Sequence, residues 1–346
     1  MTEVRTLTPD DEEWTRVLNA MPHDFYHLPA YVRAVAIHEG GRALGCLVRH
    51  RDARLFIPLI VREISEDIAG GSGWFDARSP YGYGAPLAQG CEGALLGQMF
   101  QAAMEHLRSE RIVSVFLRLH PLMPLPEEPL SGLGDLVDQG ETVYVDLNKP
   151  GEELWNELRS DHQQRISQLK TQGFEVCRDD WSLLPDFEQA YEETMSKVAA
   201  DDFYFFGEDF FNALAPLFGS ALHLFAVKDT SDRVACAGLY GSCCGLAQNF
   251  LSATYTAHRS DSPARLMQYA VVEWGKQKGD EALHLGGGLG GAKDGIFRYK
   301  SGFSPLRAHY KTLRLITDPA KYDRFVSRRL AGDRKTSEGF FPQYRA

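Results

Sequence analysis

One pattern occurs twice along the chain and limits the folds that it can adopt. Residues 101–115 are similar to residues 268–282, and each stretch indicates a helix that leads directly into a strand. Each is preceded by two strand-like runs and a Ser-Pro step, Ser79-Pro80 in the first half and Ser262-Pro263 in the second. The order strands, helix, strand, found twice, predicts an α+β protein with two similar units in tandem, each with a mixed sheet.

The length of the chain agrees with two domains. At 346 residues it exceeds what a single hydrophobic core usually supports. A proline-rich stretch from Pro121 to Pro129 reads as a surface loop, and the strand-like run Thr142–Leu147 follows it. We therefore predict one domain over 1–140 and a second over 141–346.

Charge and hydropathy narrow the possible partners. The formal net charge is −10, so the chain as a whole gains little from binding a nucleic-acid duplex, although a local basic patch could still grip one RNA end. No apolar run reaches the roughly 18 residues that would indicate a membrane span. The N-terminal residues contain no apolar signal core, which predicts a cytoplasmic protein.

The cysteines and histidines indicate no metal site. Six cysteines are scattered without a C-x-x-C pair, which argues against a disulfide framework and against structural zinc. His23 and His27 are spaced i,i+4, but no third ligand is spaced to help them. We expect neither a metal nor a redox cofactor.

The pattern of apolar residues also predicts the main helices. Helices are expected over about 93–109 and 263–278, and a longer one from Pro150 to Gly173. His284 lies on a short strand between two leucines, so we expect a buried histidine whose hydrogen bonds are satisfied within the protein.

The densest candidate for chemistry is the glycine-rich stretch after that strand. Five of the six residues 286–291 are glycine, which favours a loop whose backbone approaches another group closely. The spacing matches a dinucleotide-binding fingerprint, but no long amphipathic helix follows it. A phosphate loop of the Walker type fails because Ala292 and Asp294 replace its glycine and hydroxyl residue. A flexible surface turn remains the alternative.

Four residues with rings or positive charges follow the glycines, in the run Phe297-Arg-Tyr-Lys300. A lysine between aromatic residues can extend its charge to the surface. Alternatively, it can hold a fixed positive charge at a site, where it stabilises the oxyanion that develops during acyl transfer to an amine.

These motifs are similar to those of a known family. The runs His284-Leu-Gly-Gly-Gly288 and Asp294-Gly-Ile-Phe-Arg-Tyr-Lys-Ser-Gly-Phe303, preceded by Ser262-Pro-Ala-Arg-Leu266, resemble the FemABX-like branch of the GNAT acyltransferase superfamily. The resemblance spans about 140–325 and, more loosely, the first-half loop Tyr81-Gly-Tyr-Gly-Ala-Pro86. It implies tandem GNAT-like domains, each a mixed, mostly antiparallel sheet flanked by helices.

The resemblance also implies roles for individual residues. Lys300 matches the lysine that the family links to acyl transfer, and Tyr81, Tyr83 and Tyr204 match tyrosines that help to hold the acceptor. The other candidate substrate-binding residues come from the reactive loop itself: Tyr299, Arg298, Asp294, Gly286, Gly287 and Gly288. The long helical arm of some members has no counterpart here, and the lysine that binds a nucleotide-linked acceptor has no clear match near Tyr31, where Arg33 is the nearest cation.

The start of the 263–278 helix bears on the donor. Acetyl-coenzyme A enzymes of the superfamily place a glycine-rich loop there, whose N–H groups hold the pyrophosphate. In this chain Pro263 removes one N–H and Asp261 adds a negative charge, and Ser262 reads as an ordinary helix cap.

The expected function is therefore aminoacyl transfer, with aminoacyl-tRNA as the donor and an amine of a small peptide-like or sugar-peptide acceptor. Two alternatives remain open. One is an acyl-CoA-dependent N-acyltransferase of the same fold, which the acidic net charge favours; the other is a binding module that keeps the fold without the chemistry. The sequence does not indicate an oligomeric state.

Overall fold

The computed structural model describes residues 2–331 and 339–346. Labelled in chain order, its strands are β1 (Thr2–Leu7), β2 (Arg42–His50), β3 (Ala53–Glu63), β4 (Phe75–Arg78), β5 (Leu87–Gln89), β6 (Ile112–Arg118), β7 (Asp135–Asp146), β8 (Glu175–Arg178), β9 (Leu222–Lys228), β10 (Val234–Cys243), β11 (Leu246–Thr254), β12 (Ala282–Gly286) and β13 (Arg307–Ile316).

Its α-helices are α1 (Glu12–Asn19), α2 (Pro29–His38), α3 (Glu66–Ala69), α4 (Gly93–Ser109), α5 (Glu127–Ser131), α6 (Gly151–Glu157), α7 (Ser160–Thr171), α8 (Leu184–Lys197), α9 (Glu208–Leu214), α10 (Ala264–Lys278), α11 (Gly295–Lys300) and α12 (Pro319–Ala331).

The chain forms two compact units, the first over 1–139 and 310–346 and the second over 140–309. The division that we predicted left the C-terminal segment in the second domain, and this assignment needs correction. Strand β13 pairs antiparallel with β6, with Thr312 opposite Arg118, so the chain returns to the first unit. Pairing between strands so distant in sequence leaves no local signal.

The first unit is a mixed sheet with helices packed against it. Strands β1, β2, β3 and β4 are antiparallel neighbours, β4 runs parallel to β6, and β5 pairs with another part of β3. Helices α2 and α4 contact the sheet. The apolar face of α4, with Leu96, Met99 and Phe100 buried, joins the core that β3 and β6 supply.

The second unit repeats this plan. Strands β8 to β11 are antiparallel neighbours, β11 runs parallel to β12, and β12 is antiparallel to β7. The β10–β11 hairpin turns on Cys244 and Gly245, both with positive φ, as a type I′ turn requires. Helices α7 and α10 share one core with the sheet, and α8 contacts β10 and β11. The predicted α+β class with mixed sheets flanked by helices is confirmed.

Strands β11 and β12 separate soon after they meet, and this separation positions the site. Their parallel pairing runs from Leu246 opposite Ala282 to Gln248 opposite His284. Beyond that point β11 continues to Thr254, whereas β12 ends at Gly286. His284, at the last pair, is buried between Gln248 (Nδ1 to Oε1, 3.0 Å) and Thr142 (Nε2 to Oγ1, 2.9 Å), as expected for a satisfied histidine.

Candidate active site

The glycine-rich loop after β12 packs against the protein's own backbone. Gly286 has φ +79°, a left-handed conformation that glycine adopts without strain. A Cβ on Gly287 would lie 3.0 Å from the carbonyl oxygen of Glu141, and one on Gly288 would lie 2.0 Å from that of Ala292. The close approach predicted from the sequence is therefore present, but the groups approached belong to the chain itself.

Asp294 holds the loop and the following helix together. Its carboxylate accepts hydrogen bonds from the backbone N–H of Phe297 (2.9 Å) and of Leu289 (3.1 Å), so it caps α11 and closes the glycine-rich turn. The bond from Phe297 is the largest of the effects that lower the pKa of Asp294 below its ordinary value. The carboxylate of Asp294, predicted to bind substrate, is thus engaged in hydrogen bonds within the loop.

Lys300, at the end of α11, points its ammonium group back to the same loop. Its Nζ donates to the carbonyl oxygen of Gly287 at 2.8 Å. Burial lowers the pKa of Lys300 to about 8, and the nearby Asp294 carboxylate partly opposes that shift. Lys300 is therefore mostly charged at neutral pH while lying half-buried.

Tyr299 connects α11 to the start of α10. Its hydroxyl donates to the carbonyl oxygen of Ala264 at 3.0 Å, and burial raises its pKa. Arg298, by contrast, is exposed, and its carbonyl oxygen accepts from Arg159 Nη1 at 3.1 Å. Of the aromatic-lysine run, Tyr299 thus faces α10, whereas Lys300 faces the glycine-rich loop.

A cleft of about 300 Å³ opens where β11 has left β12. It is bounded by the end of β11, the start of α10, one residue of α8 and Tyr299. Its lining residues are Thr194, Ser252, Ala253, Thr254, Arg259, Ser262, Ala264, Arg265 and Tyr299. None of these described lining residues is acidic and two are arginines, so the cleft favours a ligand with anionic groups.

The start of α10 offers few free N–H groups to this cleft. Pro263 stands at the N-cap and has no N–H. The N–H of Arg265 donates to Ser262 O at 3.2 Å, and those of Leu266 and Met267 donate to Pro263 O at 3.0 and 3.1 Å. The first two of these groups, which bind anions at many helix starts, are thus already paired within the chain, and the third makes the ordinary first hydrogen bond of the helix.

The three predicted acceptor tyrosines belong to different parts of the chain. Tyr204 is half-buried in a short 3₁₀ helix, Asp202–Tyr204, and is not among the described residues that line the cleft. Tyr81 and Tyr83 belong to the first unit. There the hydroxyl of Tyr31 donates to Tyr81 O at 2.9 Å. The ring of Tyr83 packs edge-on against other aromatic rings, those of Tyr26, His120 and Tyr310.

The sequence patterns did not indicate a group of polar and charged residues beside Tyr299. Arg159, Asp161 and His162 lie at the start of α7, and Asp161 also bonds Arg265 Nη2 at 3.1 Å. The pattern of apolar residues predicted a single helix across this region and did not indicate that these three side chains form a cluster. The sequence run Arg159-Ser-Asp-His162, polar and basic inside a predicted amphipathic helix, is the one signal that could have marked it.

Comparison with known proteins agrees with the geometry. Residues 156–301 match the family model of the acetyltransferase (GNAT) domain. No curated protein matches the chain. Within residues 2–331 and 339–346, no helix combines the length and the apolar character that crossing a membrane would require.

Several solved structures share the fold. FemX is 13% identical with a TM-score of 0.69, over 89% of this chain and 96% of FemX. L-PGS from Bacillus licheniformis is 13% identical with a TM-score of 0.58, over 94% of this chain and 98% of that one. The C-terminal domain of a putative lysylphosphatidylglycerol synthetase from Agrobacterium fabrum is 12% identical with a TM-score of 0.54, over 91% and 93%. At such identities the likeness concerns the fold.

Residues 156–301 thus carry a GNAT domain, as expected for an acyltransferase, and the chain shares the fold of FemX and L-PGS.

Proposed function

We propose that this chain, an acyltransferase whose second unit carries a GNAT domain, transfers an aminoacyl group from aminoacyl-tRNA to an amine. The acceptor in this proposal is a small peptide-like or sugar-peptide molecule. The reaction then takes place in the cytoplasm, where tRNA is charged.

The observation that carries the choice of donor is the start of α10. A coenzyme A donor needs its diphosphate held, and two N–H groups in the first turn of α10 that could hold it, those of Arg265 and Leu266, already donate to the chain. Pro263 supplies none. An aminoacyl ester on a terminal ribose carries no diphosphate next to its acyl group, so this donor does not depend on such a cradle.

The charge of the cleft is compatible with an RNA end. Arg259 is exposed and Arg265 is half-buried, and both line the cleft. The guanidinium group of Arg259, and the N–H groups of Arg265 that do not bond Asp161, can pair with phosphate oxygens, which suits the last phosphodiesters of a tRNA despite the net charge of −10. The same two arginines could pair with the diphosphate of coenzyme A, and they keep an acyl-CoA donor as the second candidate.

The chemistry follows from the nature of an ester donor. The acceptor amine attacks the ester carbonyl carbon, and a tetrahedral oxyanion forms. The bond to the ribose oxygen then breaks, the amide remains, and the proton lost by the amine goes to the leaving hydroxyl. In this proposal Lys300 stabilises the oxyanion, because its ammonium group has three N–H donors and Gly287 O engages one of them.

The acceptor assignment rests on the family resemblance, under which Tyr81, Tyr83 and Tyr204 hold the acceptor. The other roles rest on the geometry of the second unit: Tyr299 shapes the cleft that receives the donor, and Gly286 to Gly288 with Asp294 keep Lys300 in place. Arg298 is exposed, which suits a contact with the RNA backbone.

A donor screen tests the proposal. The purified protein is incubated with aminoacylated tRNA or with a set of acyl-CoA thioesters, each with a panel of peptides and amino sugars, and amides are detected by mass spectrometry. Uncharged tRNA with free amino acids and the K300M variant serve as controls. We expect amide from charged tRNA alone. Amide formed with release of free coenzyme A would establish the second candidate, and no amide from either donor would favour a binding module.

A further inference from the structure

Two extended residues separate α6 from α7 and attach α7 to α11. Leu158 and Arg159 are extended between α6 and α7, with ψ of 138° and 141°. The N–H of Arg159 donates to Gly302 O at 2.9 Å, and its Nη1 donates to Arg298 O at 3.1 Å. The break in the helix is therefore used to attach α7 to the segment that carries Tyr299 and Lys300.

His162 fills the space that this attachment creates. Its side chain is fully buried, and its ring centroid lies 4.6 Å from that of Phe303 and 5.6 Å from that of Tyr299. A Cβ on Gly302 would stand 2.3 Å from His162 Cε1, so only glycine fits opposite the imidazole. The ring thus packs directly against both ends of the Tyr299–Phe303 segment.

The charges around this imidazole define its protonation state. Its Nε2 lies 3.2 Å from Arg159 Nη2, and a guanidinium group can only donate, so Nε2 must be the acceptor. Burial first, and then the positive charge of Arg265, lower the pKa of His162 to about 4. The carboxylate of Asp161 bonds both Arg159 and Arg265. One carboxylate and one neutral imidazole thus organise two arginines.

We propose that His162 is a positioning residue of the acyl-transfer site: by accepting from Arg159 as a neutral imidazole and packing on Tyr299, it sets α11 relative to the cleft. This inference rests on the proposed function. His162 touches neither donor nor acceptor in this account, and its effect reaches the reaction through Tyr299 and the adjoining Lys300.

Protonation of His162 would undo this arrangement. The charged or titratable groups that face it are Arg159 and Asp161 on α7, Arg265 on α10 and Tyr299 on α11. A proton on Nε2 removes the acceptor and adds a third positive charge beside two arginines that share one carboxylate.

Two variants of His162 distinguish a role in positioning α11 from a role in filling space in the core. H162Q keeps a neutral acceptor, whereas H162F keeps the ring and loses the acceptor. With the donor that the wild type uses, we expect H162F to lower kcat roughly ten- to hundredfold with little change in KM, since a displacement of about 1 Å can lower a rate a hundredfold. H162Q should retain most of the turnover. Equal turnover of both variants, a change confined to KM, or unfolding of both would overturn the proposal.

A second measurement does not depend on activity. The unfolded chain binds a proton at His162 near the ordinary pKa of 6.5, whereas the folded chain does so only near 4. The wild type should therefore lose stability as pH falls from 6.5 to 4, and H162Q should lose less over the same range. Identical slopes of Tm against pH would contradict a neutral buried imidazole. If the wild type transfers no acyl group, the proposed function fails, and this slope still tests the His162–Arg159 contact.

Discussion

At the scale of the residue, Lys300 combines charge with burial. A buried ammonium group is unfavourable unless it is paired, and the described contacts supply Gly287 O and, at longer range, the charge of Asp294. The sequence left two interpretations of this lysine open, a surface cation and a fixed charge at a site. Its half-buried position and lowered pKa favour the second.

The first prediction concerns substitution of Lys300. K300M keeps the apolar stem and removes the charge, and we expect turnover to fall about a hundred- to a thousandfold, as for loss of an oxyanion donor. Stability should change by about 1 kcal/mol or less, because the lost hydrogen bond is offset by the relieved burial of charge. K300R should restore activity only in part.

Turnover and melting temperature measured on the same two variants test this prediction. If K300M turns over at nearly the wild-type rate, Lys300 is a surface cation without a catalytic role. A large fall in Tm would make its role structural.

The second prediction is a pH dependence. If the charge on Lys300 is needed, the rate should fall as pH rises through about 8, and K300R should move this alkaline limb to higher pH. Stability should change with pH in the opposite direction to the rate. The pKa of Lys300 in the folded protein lies below its unfolded value of 10.5, so the charged form of the lysine disfavours folding. The wild type should therefore gain stability relative to K300M between pH 8 and 10.5. Parallel stability curves for the two proteins would contradict the burial of this charge.

At the scale of the element, the glycine-rich loop and α11 form one closed structure. Asp294 caps the helix and also holds Leu289 N, while Lys300 returns from the end of the helix to Gly287. The loop can keep this compact form only where no Cβ intrudes. Its glycines therefore serve to position the lysine.

The third prediction compares two glycines of this element. A methyl group on Gly288 would meet Ala292 O at 2.0 Å and Asp294 Oδ1 at 2.5 Å, whereas Gly295 has open space around it. G288A should lower the free energy of unfolding by about 2–3 kcal/mol through overpacking and should reduce activity with it. G295A should be neutral or slightly stabilising. Denaturant unfolding of both variants checks this, and equal stability would show that the loop does not close as described.

At the scale of the whole molecule, the C-terminal residues complete the first unit. Tyr344 is fully buried, and its hydroxyl shares a hydrogen bond with Ser114 Oγ at 2.7 Å. Arg345 forms an ion pair with the buried Asp76, which also bonds Arg62 at 2.9 Å. The C-terminal segment of the chain is thus part of a core whose other residues come from the N-terminal part of the sequence.

The fourth prediction tests this return of the chain. Y344A should lower the free energy of unfolding by about 3–5 kcal/mol, as for other large buried aromatic residues. Y344F, which loses only the bond to Ser114, should lower it by about 1 kcal/mol. F340A, at an exposed position, is the matched control and should change it by less than about 0.5 kcal/mol. Similar losses in Y344A and F340A would place the C-terminal segment outside the core.

Local patterns in the sequence were enough to predict several features of the fold. Apolar periodicity placed helices at 93–109 and 263–278, and the structure has them at Gly93–Ser109 and Ala264–Lys278. The repeated order of elements predicted a mixed sheet in each half, and the run around Lys300 carried the resemblance to an acyltransferase family, while the roles of its residues stay predictions. Residues that are close in sequence control these features, so a single sequence is enough to predict them.

Features that depend on contacts between distant segments could not be predicted in this way. The helix predicted from Pro150 to Gly173 is broken, because Arg159 bonds α11 instead of continuing the helix. Residues 310–346 join the first unit because β13 finds its partner in β6. The glycines after His284 accommodate the chain's own carbonyl groups, which composition cannot distinguish from a ligand. Such contacts join segments that are distant in sequence, so they leave no periodic pattern of residues that a prediction could use.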